Sequence, residues 1–300
     1  PGSSRRPPGS AAASGASLPP PPADSIVSVR PYLLVQLSDI HLTTSGIGPH
    51  GARTRDNLLA ALREAAAAGL RPDVFLLTGD LADAGEGPCY DDLAGILADA
   101  ARASGASGAP GAPEASVVYL PGNHDDRDEF RRRLASGDGA LGGPGAPVNQ
   151  TLWRDGLRII ALDSTIPGED GGALDDQTLR YLRSELATPA PDGTIVALHH
   201  PPIPSPVEPM ARMALRDPGR LRDAIAGSDV RLVLCGHSHH EAFGMLGATP
   251  VWVSPAIAYR LDVTSTGAFR GVPGTAFSGI RLGGRDDGPV VTIYPVTTPA

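Results

Sequence analysis

The 300-residue chain contains no lysine: all 25 of its basic residues are arginine. That excludes Schiff-base catalysis and a lysine-bearing P-loop. Cysteine is scarce, with only Cys89 and Cys235. Two thiols make a disulfide framework a poor expectation. Cys235 closes the apolar run Val230–Leu234, as a buried thiol would, so a reducing, cytoplasmic setting is expected. No apolar run nears the roughly 18 residues of a membrane helix, so no transmembrane segment is expected. Pro, Gly, Ser and Ala follow Arg5 and Arg6 where a secretory signal would be apolar. Positive charge is also in deficit, at a net −8. That argues against a partner that is a nucleic-acid polymer. An acidic protein still binds a phosphate ester where bound metals supply the positive charge. The sequence carries no internal repeat.

What is present suits a large globular domain, with 41% hydrophobic residues and ample length for a full core. Residues 1–24 are rich in Pro, Gly, Ser and Ala and read as a disordered tail. Residues 25–300 read as the folded domain. Short apolar runs mark strands at Tyr32–Leu37, Val74–Thr78, Val117–Leu120, Leu157–Leu162, Thr194–Leu198 and Val230–Leu234. Helical spacing falls between them. Asp56–Leu70 has Asp56 as an N-cap and Gly69 near its stop; Tyr90–Ala103, Asp126–Leu134, Asp175–Leu186 and Arg220–Ala226 follow. Ser104–Ala115 and Gly137–Pro147 read as Gly-rich surface loops. After Pro250 the pattern becomes strand-like without helices, at Val251–Ser254, Phe277–Leu282 and Val290–Tyr294. Alternating strands and helices predict an α/β fold. The helix-poor last third predicts a second, more antiparallel sheet, and so a two-sheet sandwich flanked by helices.

Five short segments carry the chemistry: Asp39-Ile40-His41, Gly79-Asp80, Gly122-Asn123-His124-Asp125, His199-His200-Pro201-Pro202 and Gly236-His237-Ser238-His239. Each follows a predicted strand, and ligands gather at the carboxyl ends of strands in open α/β sheets. Taken singly, the first three read as turns or caps; together they read as a metal site. The candidate ligands mix carboxylate, amide and imidazole, which suits Mn, Fe or Zn, and no thiolate is offered. A carboxylate between two ions can bridge them, and Asp80 is the candidate. His50, His200, His240 and Asp163 read as surface or supporting residues. Arg131–Arg133 reads as a solvated helix face. Trp153 and Trp252 read as packing, with base stacking by Tyr259 as an alternative.

These segments, in this order, resemble the calcineurin-like metallophosphoesterase superfamily, whose pattern is D-x-H, G-D, G-N-H-[DE], a His segment and G-H-x-H. The likeness spans roughly residues 30–296 and is greatest to the actinobacterial branch of the bacterial class III cyclic nucleotide (cAMP) phosphodiesterases. It implies a four-layer sandwich and two metal ions. Asp39, His41 and His239 would hold the first ion; Asn123, His199 and His237 the second; Asp80 would bridge. His124 is implied to meet the phosphate or leaving group as a catalytic residue. Asp83, near the second motif, is a further catalytic candidate that could orient His124 or a ribose hydroxyl. The implied reaction is in-line attack of metal-activated hydroxide on a cyclic nucleotide, cAMP giving 5′-AMP. Glycerophosphodiesters, 2′,3′-cyclic nucleotides or phosphomonoesters are alternative substrates, and a binding scaffold without catalysis is the alternative of a different class. The resemblance also admits a homodimer. Substrate choice is expected to lie in the loops Gly168–Leu174 and Pro201–Met213.

Overall fold

The computed structural model describes residues 31–105, 114–135, 142–285 and 287–297. The tail expected over residues 1–24 lies outside them, as do parts of both Gly-rich loops. In chain order the strands are β1 (Tyr32–Leu37), β2 (Val74–Thr78), β3 (Ser116–Leu120), β4 (Gln150–Arg154), β5 (Leu157–Leu162), β6 (Thr194–Leu198), β7 (Val230–Cys235), β8 (Ala242–Leu246), β9 (Thr249–Val253), β10 (Arg260–Leu261), β11 (Gly271–Val272), β12 (Thr275–Leu282) and β13 (Val290–Val296). The helices are α1 (Thr54–Ala67), α2 (Gly87–Gly105), α3 (Arg127–Arg133), α4 (Asp176–Glu185), α5 (Glu208–Arg212) and α6 (Pro218–Ile225).

Two sheets stack. One runs β13-β12-β1-β2-β3 and the other β4-β5-β6-β7-β9-β8. β1, β2, β5 and β6 are buried along their whole length. That is what parallel strands covered on both faces require, and it is why they read as continuous apolar runs. Alternate residues face opposite ways. Leu34 and Leu76 meet Ile159, Ile195 and Leu232 between the sheets. Val35 and Leu77 instead face Leu58 and Ala61 of α1 and Leu93 of α2. On the far side, Ile160 and Val196 face Leu179 of α4 and Leu221 of α6. The result is four layers, helix-sheet-sheet-helix, as expected.

The last third departs from expectation: apart from the two-stranded ribbon β10-β11, it forms no sheet of its own. β12 returns antiparallel to β1 and β13 antiparallel to β12, while β9 adds parallel to β7 and β8 closes that sheet antiparallel. α1 starts at Thr54, not at an Asp56 cap. Asp56 lies within the first turn and pairs with Arg53 at 2.7 Å. Asp126 and Asp175, expected inside their helices, are the caps, accepting from the N–H groups of Glu129 and Thr178 at 2.8 and 2.7 Å. Arg131 is buried, not solvated, because its guanidinium donates to the Ala146 carbonyl.

Candidate metal centre

All five segments leave the carboxyl ends of β1, β2, β3, β6 and β7, neighbouring strands of the two sheets. The turns that follow are tight. The Asp39 and His41 amides donate to the carbonyls of Gly79 and Asp80 at 3.1 and 2.9 Å. Gly122 and Gly236 sit where a Cβ would strike the Asp80 carboxylate and the Ser38 hydroxyl. Only glycine lets these backbones pass so close. Asp125 ties two of the segments together. Its carboxylate accepts from the amides of Gly122, Ala82 and Leu81 at 2.9, 3.0 and 3.1 Å, and from the Tyr90 hydroxyl at 2.9 Å. Burial, with Asp80 nearby, raises its pKa above the usual carboxylate range.

Asp39, His41, Asp80 and His239 come together with their ligand atoms within 4.8 Å of one another, and so do His199, His200 and His237. The tautomers follow from partners that can only accept. The Nδ1–H of His239 donates to the Tyr259 carbonyl at 3.0 Å, and that of His199 to the Thr78 carbonyl at 2.8 Å. The Nδ1–H of His41 donates to the Asp83 carboxylate at 3.0 Å. Neutral, each ring therefore aims its Nε2 lone pair inward. His41 Nε2 and His239 Nε2 face each other at 3.2 Å, with Asp39 Oδ1 at 3.4 Å from His239. His199 Nε2 faces Asn123 Oδ1 at 3.1 Å and His237 Nδ1 at 3.2 Å. Asp80 Oδ2 lies between the two groups, 3.6 Å from His41 and 3.3 Å from His199.

Acceptors crowded this closely repel unless positive charge lies among them. In the bare protein, protons take that place. Burial alone would lower His199, but Asp80 and then Asp39 outweigh it and hold it at about 9. Burial is likewise outweighed at His41, which Asp83 and Asp80 raise. Burial pushes Asp39 up to about 6. Burial, then the neighbouring imidazoles, drives His237 and His239 far down, so these rings stay neutral. His237 Nε2 is buried without a hydrogen-bond partner among the described residues. The donor set fits two cations.

His124 lies at the edge of this group. Its amide donates to Asp80 Oδ1 at 3.0 Å, and its Nδ1–H to the Asp83 carbonyl at 2.8 Å. The Asp83 carboxylate reaches His41 first, with His124 at 3.7 Å. Asp83 therefore holds His124 through its main chain. His200 is occupied elsewhere: Nδ1 accepts from the Ser164 hydroxyl at 2.8 Å, and Nε2–H donates to the Asp170 carbonyl at 3.2 Å. Burial, with His199 beside it, lowers it to about 3. His240 Nε2 meets the Ser205 hydroxyl at 2.8 Å, and Asp163 pairs with Arg127 at 2.8 Å. His50 packs edge-on to Tyr259. A cavity of about 230 Å³ opens above the centre, walled by Asp170, Met210, Met213, Tyr259 and Phe269. Three of these lie in the loops expected to choose substrate. Tyr259 and Phe269 come from the β10–β11 region, whose two-residue strands leave no periodic signal.

A four-layer sandwich with a histidine–carboxylate cluster and a histidine cluster side by side at its strand ends defines a class of phosphoester-cleaving proteins. The profile of the calcineurin-like phosphoesterases matches residues 32–241, and the chain belongs to that family. It is 39% identical to a probable cyclic nucleotide phosphodiesterase of Rhodococcus erythropolis, over 81% of this chain and 77% of that one. It is 40% identical to a cAMP/cGMP dual specificity phosphodiesterase of Mycobacterium tuberculosis, over 81% and 73%. Among solved structures, a dimetal phosphatase from Danio rerio shares the fold at TM-score 0.59 and 12% identity, covering 90% of this chain and 100% of that one. No helix among the described residues is long and apolar enough to cross a membrane.

Proposed function

We propose that this chain is a dinuclear metal phosphodiesterase that opens 3′,5′-cyclic nucleotides, converting cAMP to 5′-AMP. The observation that carries the reading is Asp80 Oδ2, a single carboxylate oxygen set between two groups of inward-facing acceptors. In this reading Asp39, His41 and His239 would hold one ion, Asn123, His199 and His237 the other, and Asp80 both. The ions, Mn, Fe or Zn, would supply a water made nucleophilic near neutral pH and a clamp on the phosphate oxygens. The Rhodococcus and Mycobacterium relatives are both named cyclic nucleotide phosphodiesterases, which supports the substrate class.

The chain's own residues account for the rest. Asp83 and the Thr78 and Tyr259 carbonyls fix the ring orientations of His41, His199 and His239. Because Nδ1–H of His124 is committed to the Asp83 carbonyl, its Nε2 donates a proton only from the imidazolium form. As general acid it would pass that proton to the departing O3′ as water oxygen bonds to phosphorus opposite it. The product is the 5′-monophosphate, and no enzyme side chain becomes covalently attached. Cys89 and Cys235 are buried free thiols, which suits a reducing cytoplasm. A homodimer belongs to this reading as an expectation from the family resemblance, to be checked by sedimentation.

The test is a panel of specificity constants with Mn, Fe and Zn, comparing 3′,5′-cAMP, 2′,3′-cAMP, a glycerophosphodiester and a phosphomonoester, with bound metal counted by mass spectrometry. Two ions per chain and the highest value on 3′,5′-cAMP are expected. A higher value on another ester overturns the substrate. An absence of both metal and turnover overturns the enzyme.

A further inference from the structure

The cavity above the metal centre has a polar floor and one apolar wall. His41, Asp80, Asn123 and His124 form the floor, where a phosphate would lie; Met213 and Phe269 border the wall. Phe269 is 42% exposed, which leaves part of its ring open beside the cavity. We propose that Phe269 is the platform on which the purine base of a cyclic nucleotide stacks, a binding role that rests on the function proposed above.

Tyr259 is the competing platform, but it is engaged already. Its ring lies 4.1 Å from that of His239, tilted by 30°, and is only 6% exposed. From there rings lead outward. His50 is 4.6 Å from Tyr259, and Phe269 lies 6.4 Å from Tyr259 and 6.2 Å from His50. Phe269 is thus the ring of this file that is both exposed and part of the cavity lining, and the file starts on a candidate metal ligand.

Its loop is built to hold it. Residues 262–270 join β10 to β11, and the Asp262 carboxylate accepts from Thr264 N–H at 2.9 Å, Thr264 Oγ1 at 2.7 Å and Arg270 at 3.2 Å. The Asp262 amide donates to the Arg270 carbonyl at 2.9 Å. The Glu208 amide of α5 donates to the Thr266 carbonyl at 2.8 Å, joining the helix before Met213 to the Phe269 loop. Val207, Met210 and Leu261 pack beneath, with Met213 against them. The Leu261 amide donates to the His239 carbonyl at 2.8 Å, which fixes the ribbon to the centre. The base is the only flat, weakly polar part of a cyclic nucleotide. With its phosphate on the floor, this wall is the surface that matches it, and aromatic stacking accepts adenine and guanine alike.

The experiment measures kcat and KM of the metal-loaded wild type, Phe269→Ala and Phe269→Trp on cAMP, cGMP and a base-free analogue, methyl riboside 3′,5′-cyclic phosphate. Phe269→Ala should raise KM for both nucleotides by about fivefold or more, the low end of a lost base–aromatic stack. It should leave their kcat within about twofold, since lost uniform binding appears in KM. KM for the base-free analogue should not move, and Phe269→Trp should restore the nucleotides. Unchanged nucleotide KM in Phe269→Ala, or an equal rise on the base-free analogue, overturns the stacking role while the function stands. A wild type inactive on both nucleotides but active on other esters overturns the proposed function and this role together.

Discussion

Asp39, His41, Asp80, His237 and His239 all have positive φ, between 50° and 70°. Left-handed backbone costs a non-glycine residue roughly 1–3 kcal/mol, so five such residues in one site are held there by their surroundings. The holders are visible: the Gly79, Asp80 and Leu81 carbonyls take the amides of Asp39, His41 and Leu42, and Asp39 takes the amide of His237 at 3.0 Å. The strained turn swings each side chain from the end of its strand into the common site. Asp83 completes the arrangement by fixing His41. Asp83→Ala should lower metal affinity by about 10–100-fold, the usual cost of removing a carboxylate behind a ligating imidazole. Competitive chelator titration reads this directly, and unchanged affinity would remove Asp83 from the centre's support. The candidate ligands are legible in sequence because they punctuate apolar runs. The partner of Asp83 is not, because it depends on β1 and β2 lying side by side so that Leu42 bridges Ala82.

At the scale of elements, a buried ion pair helps tie the second sheet to the end of α4. Arg158 on β5 is fully buried, 3.0 Å from Asp229, which precedes β7. Its Nε donates to Thr194 Oγ1 on β6 at 2.9 Å, and its Nη1 reaches the carbonyls of Glu185, the last residue of α4, and of Thr188 beyond it. Asp229 also accepts from the Ala190 amide at 2.7 Å. Arg158→Leu leaves that carboxylate buried without its cation and should cost about 3–5 kcal/mol of stability. Adding Asp229→Asn should recover part of the loss, the non-additivity expected of contacting groups. Urea denaturation of the single and double variants decides; a single variant within about 1 kcal/mol of wild type refutes the argument. The strands that this pair supports read plainly because both faces are buried. β8 does not, since it is an edge strand with Phe243 and Met245 exposed. α5 is only five residues long and opens on Glu208-Pro209, too short for helical spacing to register.

For the whole molecule, strand order is set by tertiary pairing that local pattern does not encode. Val290–Tyr294 reads as a strand, yet only the antiparallel pairing of β12 with β1 places it in the first sheet. That sorting matters to function because it brings the carboxyl ends of β1, β2, β3, β6 and β7 to one edge. There a protein of net charge −8 gathers still more negative charge at Asp39 and Asp80. Without ions, Asp39 takes up a proton as the pH falls through about 6, and His199 holds its proton up to about 9. Ligation needs both groups deprotonated, so protons compete with metal. The sign follows: affinity for Mn or Zn should be weakest below pH 6 and climb toward pH 9. Ions that bind only the folded chain also stabilise it, by about 2.7 kcal/mol at a hundredfold excess over Kd. Chelation at pH 8.5 should therefore lower Tm and abolish turnover, and re-addition of Mn should restore both. At pH 6 and the same total metal, the chelator-induced fall in Tm should be clearly smaller. A Tm indifferent to chelator at both pH values would mean that the acceptor clusters do not hold the ions on which the proposed chemistry depends.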